Sequence, residues 1–308
     1  MKIGILSFKS LDKKASEEEI QLKRDAKAKG HTAAIFRAQK FQLVFDQESP
    51  WFLYNGKPMK KYDVMITRPA VLRDVDLSIA LIEQMEMAGL ALFNKYDSIL
   101  KAKNKIKTVQ ILDHYGIPIP KTVVLQRLDD VAQAAKLVGG FPVIVKNPFG
   151  SYGNGVTIME SMRALNSFLV WDKPLYLIQE YVKYSKGKDI RIFVVNGKVV
   201  GSMMRSAKKG EFRSNIELGG VGMKVELTPE EISIAIRAVQ ALDLSYAGVD
   251  VMRSKNGPVV LEVNSNPGFK ALEQTTGVSI AGSIVDYAVE FAERHQQFIP
   301  QFEVEEAS

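Results

Sequence analysis

Short apolar runs bounded by glycine alternate with segments of helical period over the first hundred residues. Lys2–Leu6 reads as a buried strand, Glu17–Lys29 as a charged helix ending at Gly30, and Thr32–Phe36 as a second strand. Asp63–Thr67 is a third strand, and Leu77–Met87 is an amphipathic helix closed by Gly89. Strand and helix taking turns predicts a small parallel sheet. Gln42–Lys60 follows neither period and carries an Asn55–Gly56 turn, so it reads as irregular.

The pattern changes near residue 100. Asn104 can cap a helix whose apolar positions Ile106, Val109 and Leu112 recur at helical spacing, and Gly116–Ile117–Pro118 stops it. A short helix follows at Asp129–Val138. Strands then crowd together: Phe141–Lys146, Val156–Met159, Leu175–Gln179, Ile190–Val195 and Val199–Met204, with Asn196–Gly197 marking a hairpin between the last two. Thr228–Pro229–Glu230–Glu231 is a capping box with proline at the first helical position, opening a helix to about Leu242. A second hairpin turns at Asn256–Gly257, and an amphipathic helix spans Ser279–Arg294.

Composition narrows the class. A chain of 308 residues exceeds the roughly 250–300 at which single cores stop growing, so two or more domains are expected. No apolar run approaches the ~20 residues that span a bilayer, and the strand-like N-terminus does not resemble a signal peptide. The absence of cysteine excludes disulfides, thiolate nucleophiles and cysteine-ligated metals, and a cytoplasmic location is expected. A net charge of +6 favours acidic ligands such as nucleotides, glutamate or acidic peptides. The lysines are scattered through helices and turns rather than gathered in one basic arm, which argues against nucleic acid.

The most informative chemistry lies on the second hairpin. Glu262 and Asn264 stand two residues apart on one strand and so share a face, which Asp250 on the adjoining strand can reach. Two carboxylates and an amide suit magnesium or manganese and are too few to close the ion off, leaving ligand positions for a phosphate. Solvated strand-end carboxylates are the plainer alternative. Lys146 ends a buried-looking strand, where an unpaired ammonium is costly. The glycine-rich Gly150–Gly155 that follows is either a phosphate-covering loop or a plain turn. Gln179–Glu180–Tyr181–Val182 leaves a strand for a polar connection that could present backbone to an adenine edge. Arg205 and Arg213, with Ser214 and Asn215, lie beside the hairpin and could stabilise charge on a transferring phosphoryl group. His31, His114 and His295 sit in unrelated contexts, so a hydrolase triad is not expected.

These residues together resemble the ATP-grasp superfamily, and within it the RimK-type α-L-glutamate ligases. The resemblance runs from Met1 to about His295. It is carried by Gln179–Glu180–Tyr181, Asp189–Ile190–Arg191, Gly210–Asn215, Ala247–Asp250, Glu262–Val263–Asn264 with Pro267–Gly268, and Thr275–Thr276–Gly277. It implies a mixed α/β (α+β) fold: a pre-ATP-grasp domain over residues 1–100, a linker helix and lid over 101–182, a C-terminal ATP-grasp subdomain over 183–300, and a tail from 301. It further implies ATP held by Lys105, Lys146, Gly153, Glu180, Tyr181, Val182, Asp189, Arg213, Ser214 and Asn215. Two magnesium or manganese ions would sit on Asp250, Glu262 and Asn264, with Arg205 and Arg213 as catalytic cations. The implied reaction is ADP-forming amide synthesis through an acyl phosphate, adding L-glutamate to a ribosomal protein tail, an oligoglutamate or a small metabolite. A homo-oligomer is expected. Asn104, where aspartate commonly precedes the first lysine, and the loop Pro148–Tyr152 depart from the pattern and bear on the acceptor.

Overall fold

In the computed structural model, which describes residues 1–45, 51–59, 62–69, 75–148, 155–169 and 175–298, the chain forms two units. One comprises residues 1–96 and 281–308, the other 97–280.

The first unit is built on β1 (Lys2–Ser7), α1 (Glu17–Ala28), β2 (Thr32–Arg37), β3 (Phe41–Val44), β4 (Trp51–Tyr54), β5 (Lys57–Pro58), β6 (Val64–Arg68), α2 (Val75–Met87) and β7 (Leu92–Phe93). The sheet order is β2-β1-β6-β7, all parallel, as the alternation of strand and helix predicts. Ile3, Ile5, Val64, Met65 and Ile66 are fully buried in it. Ser16 caps α1 through a capping box with Glu19. The stretch expected to be irregular contains an antiparallel three-stranded sheet, β3-β4-β5, turning at Asn55–Gly56. Its strands are too short for alternation to stand out. The Phe41, Phe52 and Tyr54 rings, with centroids 4.9–5.7 Å apart, provide the cross-strand contact that holds them.

The second unit runs α3 (Tyr96–Lys103), α4 (Lys105–His114), β8 (Thr122–Leu125), α5 (Val131–Leu137), β9 (Val143–Lys146), β10 (Val156–Met159), α6 (Met162–Phe168), β11 (Tyr176–Glu180), β12 (Lys188–Val195), β13 (Lys198–Ser206), β14 (Val221–Met223), α7 (Pro229–Ala241), β15 (Tyr246–Ser254), β16 (Gly257–Asn264) and α8 (Lys270–Thr276). A last helix, α9 (Ile280–Phe298), begins here and continues in the first unit, where Phe291 packs on Phe93 with ring centroids 5.6 Å apart.

Two antiparallel sheets organise this unit. Order β10-β9-β11-β8 makes the smaller, with a core of Val143, Val145, Ile178, Val131 and Leu165. The larger has order β14-β13-β12-β15-β16. Along β12, Ile190, Ile192 and Val194 join one apolar cluster with Ile234, Ala235, Ala238 and Val239 of α7. Alternation sends Asp189 and Arg191 to the opposite face. Thr228 and Glu231 close the capping box of α7, with Pro229 at its first position. Asn104 caps α4 by accepting the Ile106 and Lys107 amides at 3.0 and 3.2 Å, which fixes Lys105 at the start of the helix.

Candidate active site

The polar face of β12 carries a chain of ion pairs across three strands. Asp189 accepts Arg205 Nε and Nη2 at 2.7 and 2.8 Å, and Ser214 Oγ at 2.6 Å. Arg205 Nη2 also reaches Asp250 Oδ1 at 3.0 Å. Arg191 grips the same carboxylate, with Nε to Oδ1 at 2.5 Å and Nη2 to Oδ2 at 3.1 Å. Strand register sets this up, since Asp189 pairs with Arg205 and Arg191 with Asp250. All four residues are buried. Gly248 makes room: a Cβ there would stand 2.7 Å from Pro267 Cβ and 3.0 Å from Arg191 Cδ. Burial alone would raise the Asp250 pKa, but Arg191 and Arg205 outweigh it and hold the carboxyl below its ordinary value. Burial opposes the Arg205 charge, and Asp250 and Asp189 reverse that, so its pKa is raised.

Asp250 stands directly opposite Glu262 on β16. Asn264 Nδ2 donates to Asp250 Oδ2 at 3.3 Å and to Gly248 O at 3.4 Å. The reading of Asp250 as a merely solvated strand-end carboxylate is excluded by its 5% exposure. Among the described residues no three His, Cys, Asp or Glu side chains converge on a point, so a cation here would take two carboxylates completed by an amide. That all-oxygen donor set fits a hard divalent ion. Asp250 accepts four N–H groups, about the capacity of a carboxylate. A cation bound here would compete with Arg191, Arg205 and Asn264 for it.

Both candidate phosphate lysines border this cluster. Lys105 Nζ lies 3.4 Å from Glu262 Oε1. Lys146 sits at the end of β9, where burial drives its pKa down to about 8, Lys105 adds to the fall, and Glu262 and Asp250 oppose it. Together with Asp189, Arg205, Asp250 and Glu262, both lysines line one cleft.

The cleft also collects Glu180, Tyr181, Val182, Arg213, Ser214 and Asn215. Glu180 has its carboxylate on the Lys121 amide at 3.2 Å, which ties β11 to the approach of β8. Burial raises the Tyr181 hydroxyl pKa. Arg213 is clasped by Glu211, with Nη2 2.8 Å from Oε2 and Nε 3.1 Å from Oε1, and lies over the Phe212 ring at 5.7 Å. These contacts hold the Glu211 pKa down at about 2. Gly220 lets this loop close on itself, since a Cβ there would fall 2.4 Å from Ser214 O. Gly153 and most of the expected glycine loop lie outside the described residues. His31 faces the N-terminal amine at 3.3 Å, His114 meets the Tyr115 ring edge-on, and His295 stacks on Phe291. None of the three lines the cleft.

The sequence reading gave Arg191 no role, although its contact with Asp250 is central. The available signal was two charges, Asp189 and Arg191, alternating at the start of an apolar run that continues to Val195. Arginine is almost never fully buried there without a partner.

Comparison with known proteins agrees with this geometry. Residues 102–288 match the RimK-like ATP-grasp domain, and residues 1–99 the RimK pre-ATP-grasp domain. A "Probable alpha-L-glutamate ligase" of Coxiella burnetii is 38% identical over 295 residues, covering 93% of this chain and 95% of that protein. A "Probable alpha-L-glutamate ligase 1" of Shewanella oneidensis is 38% identical over 292 residues, with the same coverage of 93% and 95%. Among solved structures, the ATP-grasp ligase PsnB complexed with its minimal precursor superimposes with a TM-score of 0.75 at 19% identity, covering 94% of this chain and 98% of that one. D-alanine–D-alanine ligase from Bacillus anthracis gives 0.69 at 20% identity, covering 96% and 99%. Among the described residues, no helix is long and apolar enough to cross a membrane. This chain belongs to the RimK-like ATP-grasp family.

Proposed function

We propose that this protein is an ADP-forming carboxylate–amine ligase that adds L-glutamate to the carboxylate of a protein tail or an oligoglutamate. The supporting observation is the convergence of two lysines with Asp250 and Glu262 in one cleft, with Asn264 hydrogen-bonded to Asp250, in a chain 38% identical to proteins named α-L-glutamate ligases. ATP is a substrate in this reading, with its triphosphate at Lys105 and Lys146 and its base toward Tyr181 and Val182. Asp250, Glu262 and Asn264 would hold magnesium or manganese, which when bound neutralises phosphate oxygens.

The acceptor carboxylate attacks the γ-phosphorus of ATP, forming an acyl phosphate and releasing ADP. The amine of glutamate then adds to the acyl carbon, loses a proton and expels inorganic phosphate, leaving an amide. Lys105 and Lys146 hold the charge of the chain being cleaved. Arg205 and Arg191 supply fixed positive charge beside the reacting groups, and Asp189 and Asp250 hold their planes in place, so little reorganisation is left for the reaction itself. Water must be kept from the acyl phosphate, which a covered cleft provides.

A second reading keeps the chemistry and changes the substrate. The fold also serves D-alanine–D-alanine ligase, and Asn104 and the Pro148–Tyr152 loop depart from the family pattern. Mass spectrometry decides between the two after incubation with ATP, magnesium, a panel of amino acids and candidate acceptors. Glutamate is expected to give adducts that grow by one glutamyl unit at a time, linked through the α-amine. A panel in which another amino acid forms the only ATP-dependent adduct overturns the glutamate assignment and leaves the ligase chemistry standing.

A further inference from the structure

The lysines that look scattered in the sequence are partly gathered by the fold. Lys186 and Lys188 flank Gly187, whose carbonyl accepts the Ala207 amide at 2.8 Å. Lys188 pairs with Ser206 in the β12–β13 ladder, and Lys208 and Lys209 come next after Ala207. All four lysines are exposed. None forms an ion pair among the described residues. The two joined stretches, 183–188 and 206–210, contain no carboxylate. The acids that follow them are already committed, Asp189 to Arg205 and Ser214 and Glu211 to Arg213. With Lys183, also exposed and in no ion pair among the described residues, five cations stand on these two joined stretches, against a whole-chain net charge of +6. The Debye length is about 8–10 Å, so charges this close act on a ligand as a single field. Gly187, between the first two lysines, and Phe212 and Arg213, beyond the second two, line the cleft, so the two stretches reach its rim, with the Lys188 side chain on the Ile190 side of the sheet.

We propose that Lys186, Lys188, Lys208 and Lys209 form a docking face for an acidic polypeptide, which they hold beside the cleft as the acceptor chain. This rests on the glutamate-ligase reading for its identification of the acceptor. Lysine fits the partner. Ammonium groups on flexible stems can follow carboxylates strung along a mobile chain, whereas nucleic-acid recognition draws on the planar arginine fork and on stacked aromatics. Arg205, Arg213 and Arg253, the arginines nearest this face, are each paired to a carboxylate of the protein. Each added glutamate would also make the acceptor a better ligand for the same face.

The test compares wild type with a variant carrying Lys186→Gln, Lys188→Gln, Lys208→Gln and Lys209→Gln. Binding of fluorescein-labelled oligo-L-glutamate is followed by anisotropy, and ADP binding by calorimetry. The variant should bind the peptide about tenfold more weakly at low salt. Raising salt from about 50 to about 200 mM should weaken wild-type binding steeply and variant binding little. ADP affinity should stay within about twofold, and in glutamyl transfer the peptide KM should rise while kcat holds. The double variants K186Q/K188Q and K208Q/K209Q, each expected to lose about threefold, carry the test if the quadruple variant does not fold. Equal peptide affinity in wild type and variant overturns the proposal, as does a parallel loss of ADP affinity. So does tighter wild-type binding of a single-stranded oligonucleotide of equal charge. Lysine-dependent peptide binding without any glutamyl adduct would refute the ligase reading while keeping the docking face.

Discussion

Arg205 on β13 reaches across β12 to place Nη2 3.0 Å from Oδ1 of Asp250 on β15, while its Nε and Nη2 hold Asp189 on β12 itself. One guanidinium thus joins three strands and both carboxylates of the polar face. Bringing two acids and two arginines out of water is expensive, and the arrangement holds only because every charge has a geometrically good partner.

Removing Arg205 should therefore damage the fold as well as the site. Arg205→Met leaves Asp189 with Ser214 and Asp250 with Arg191 and Asn264, and is expected to cost about 3–5 kcal/mol in urea unfolding at neutral pH. Arg205→Lys keeps the charge, loses the fork, and should recover part of that stability but little turnover. Equal stability of wild type and Arg205→Met would mean that the buried network contributes nothing net.

Glu262 offers the contrasting case. Its side chain is 37% exposed and touches Lys105 at 3.4 Å, so its removal strands no buried carboxylate, although Lys105 and Lys146 lose a counter-charge. Glu262→Ala should unfold cooperatively, within about 1 kcal/mol of wild type. It should nevertheless abolish ATP turnover, because the proposed cation site loses a carboxylate. Near-normal ADP release under saturating magnesium would remove Glu262 from the metal assignment.

The contrast between these residues shows what was legible in the sequence. Glu262 and Asn264 share a face by strand period, but Asp250 joins them only because the hairpin turns at Lys255–Asn256, one residue before the expected Asn256–Gly257, and a register shift follows Asp250. The Asn104 cap and the Thr228–Glu231 box were equally local, and both are present. Arg191 was harder to assign, because its partner Asp250 lies 59 residues away and depends on the order β13-β12-β15. The lysine face escaped for the same reason, since Lys188 and Lys208 meet only through strand pairing. The β3-β4-β5 sheet was missed because short aromatic strands show no period, only contacts.

Glu231 supports a prediction about acid stability. It is buried, accepts the Thr228 amide at 2.9 Å and holds Arg253 at 2.6 and 3.1 Å. Burial opposes its ionisation, but Arg253 and the Thr228 amide prevail, so its folded pKa lies below the ordinary 4.5. A carboxyl depressed on folding contributes stability that is complete above its unfolded pKa and is lost as pH falls through the folded value. Glu231→Gln should thus be less stable than wild type at pH 7, by about 1–3 kcal/mol. The gap should narrow below about pH 4.5 as wild type loses its advantage. Urea titrations across that range decide it, and a constant gap would show that Glu231 acts through shape rather than charge.

Lys146 gives the sharpest pH signature in the site. Burial, with Lys105 nearby, brings its pKa down to about 8, against the pull of Glu262 and Asp250. A triphosphate binds the protonated form better, so binding must raise this pKa, and affinity must fall once the free site loses its proton. Above pH 8 the dissociation constant of wild type should weaken by up to about tenfold per pH unit, while below pH 8 this lysine adds no dependence. Lys146→Met keeps the stem's bulk and removes the ammonium. It should bind ATP about tenfold or more weakly at pH 7.5 and show no such weakening up to about pH 9. Calorimetric titrations of both proteins over that interval measure the two curves directly. Because the variant carries every other titrating group, any slope it retains belongs to those groups, and the difference between the curves belongs to Lys146. Parallel curves would place the depressed ammonium away from the triphosphate and leave Lys105 as the cation that holds it.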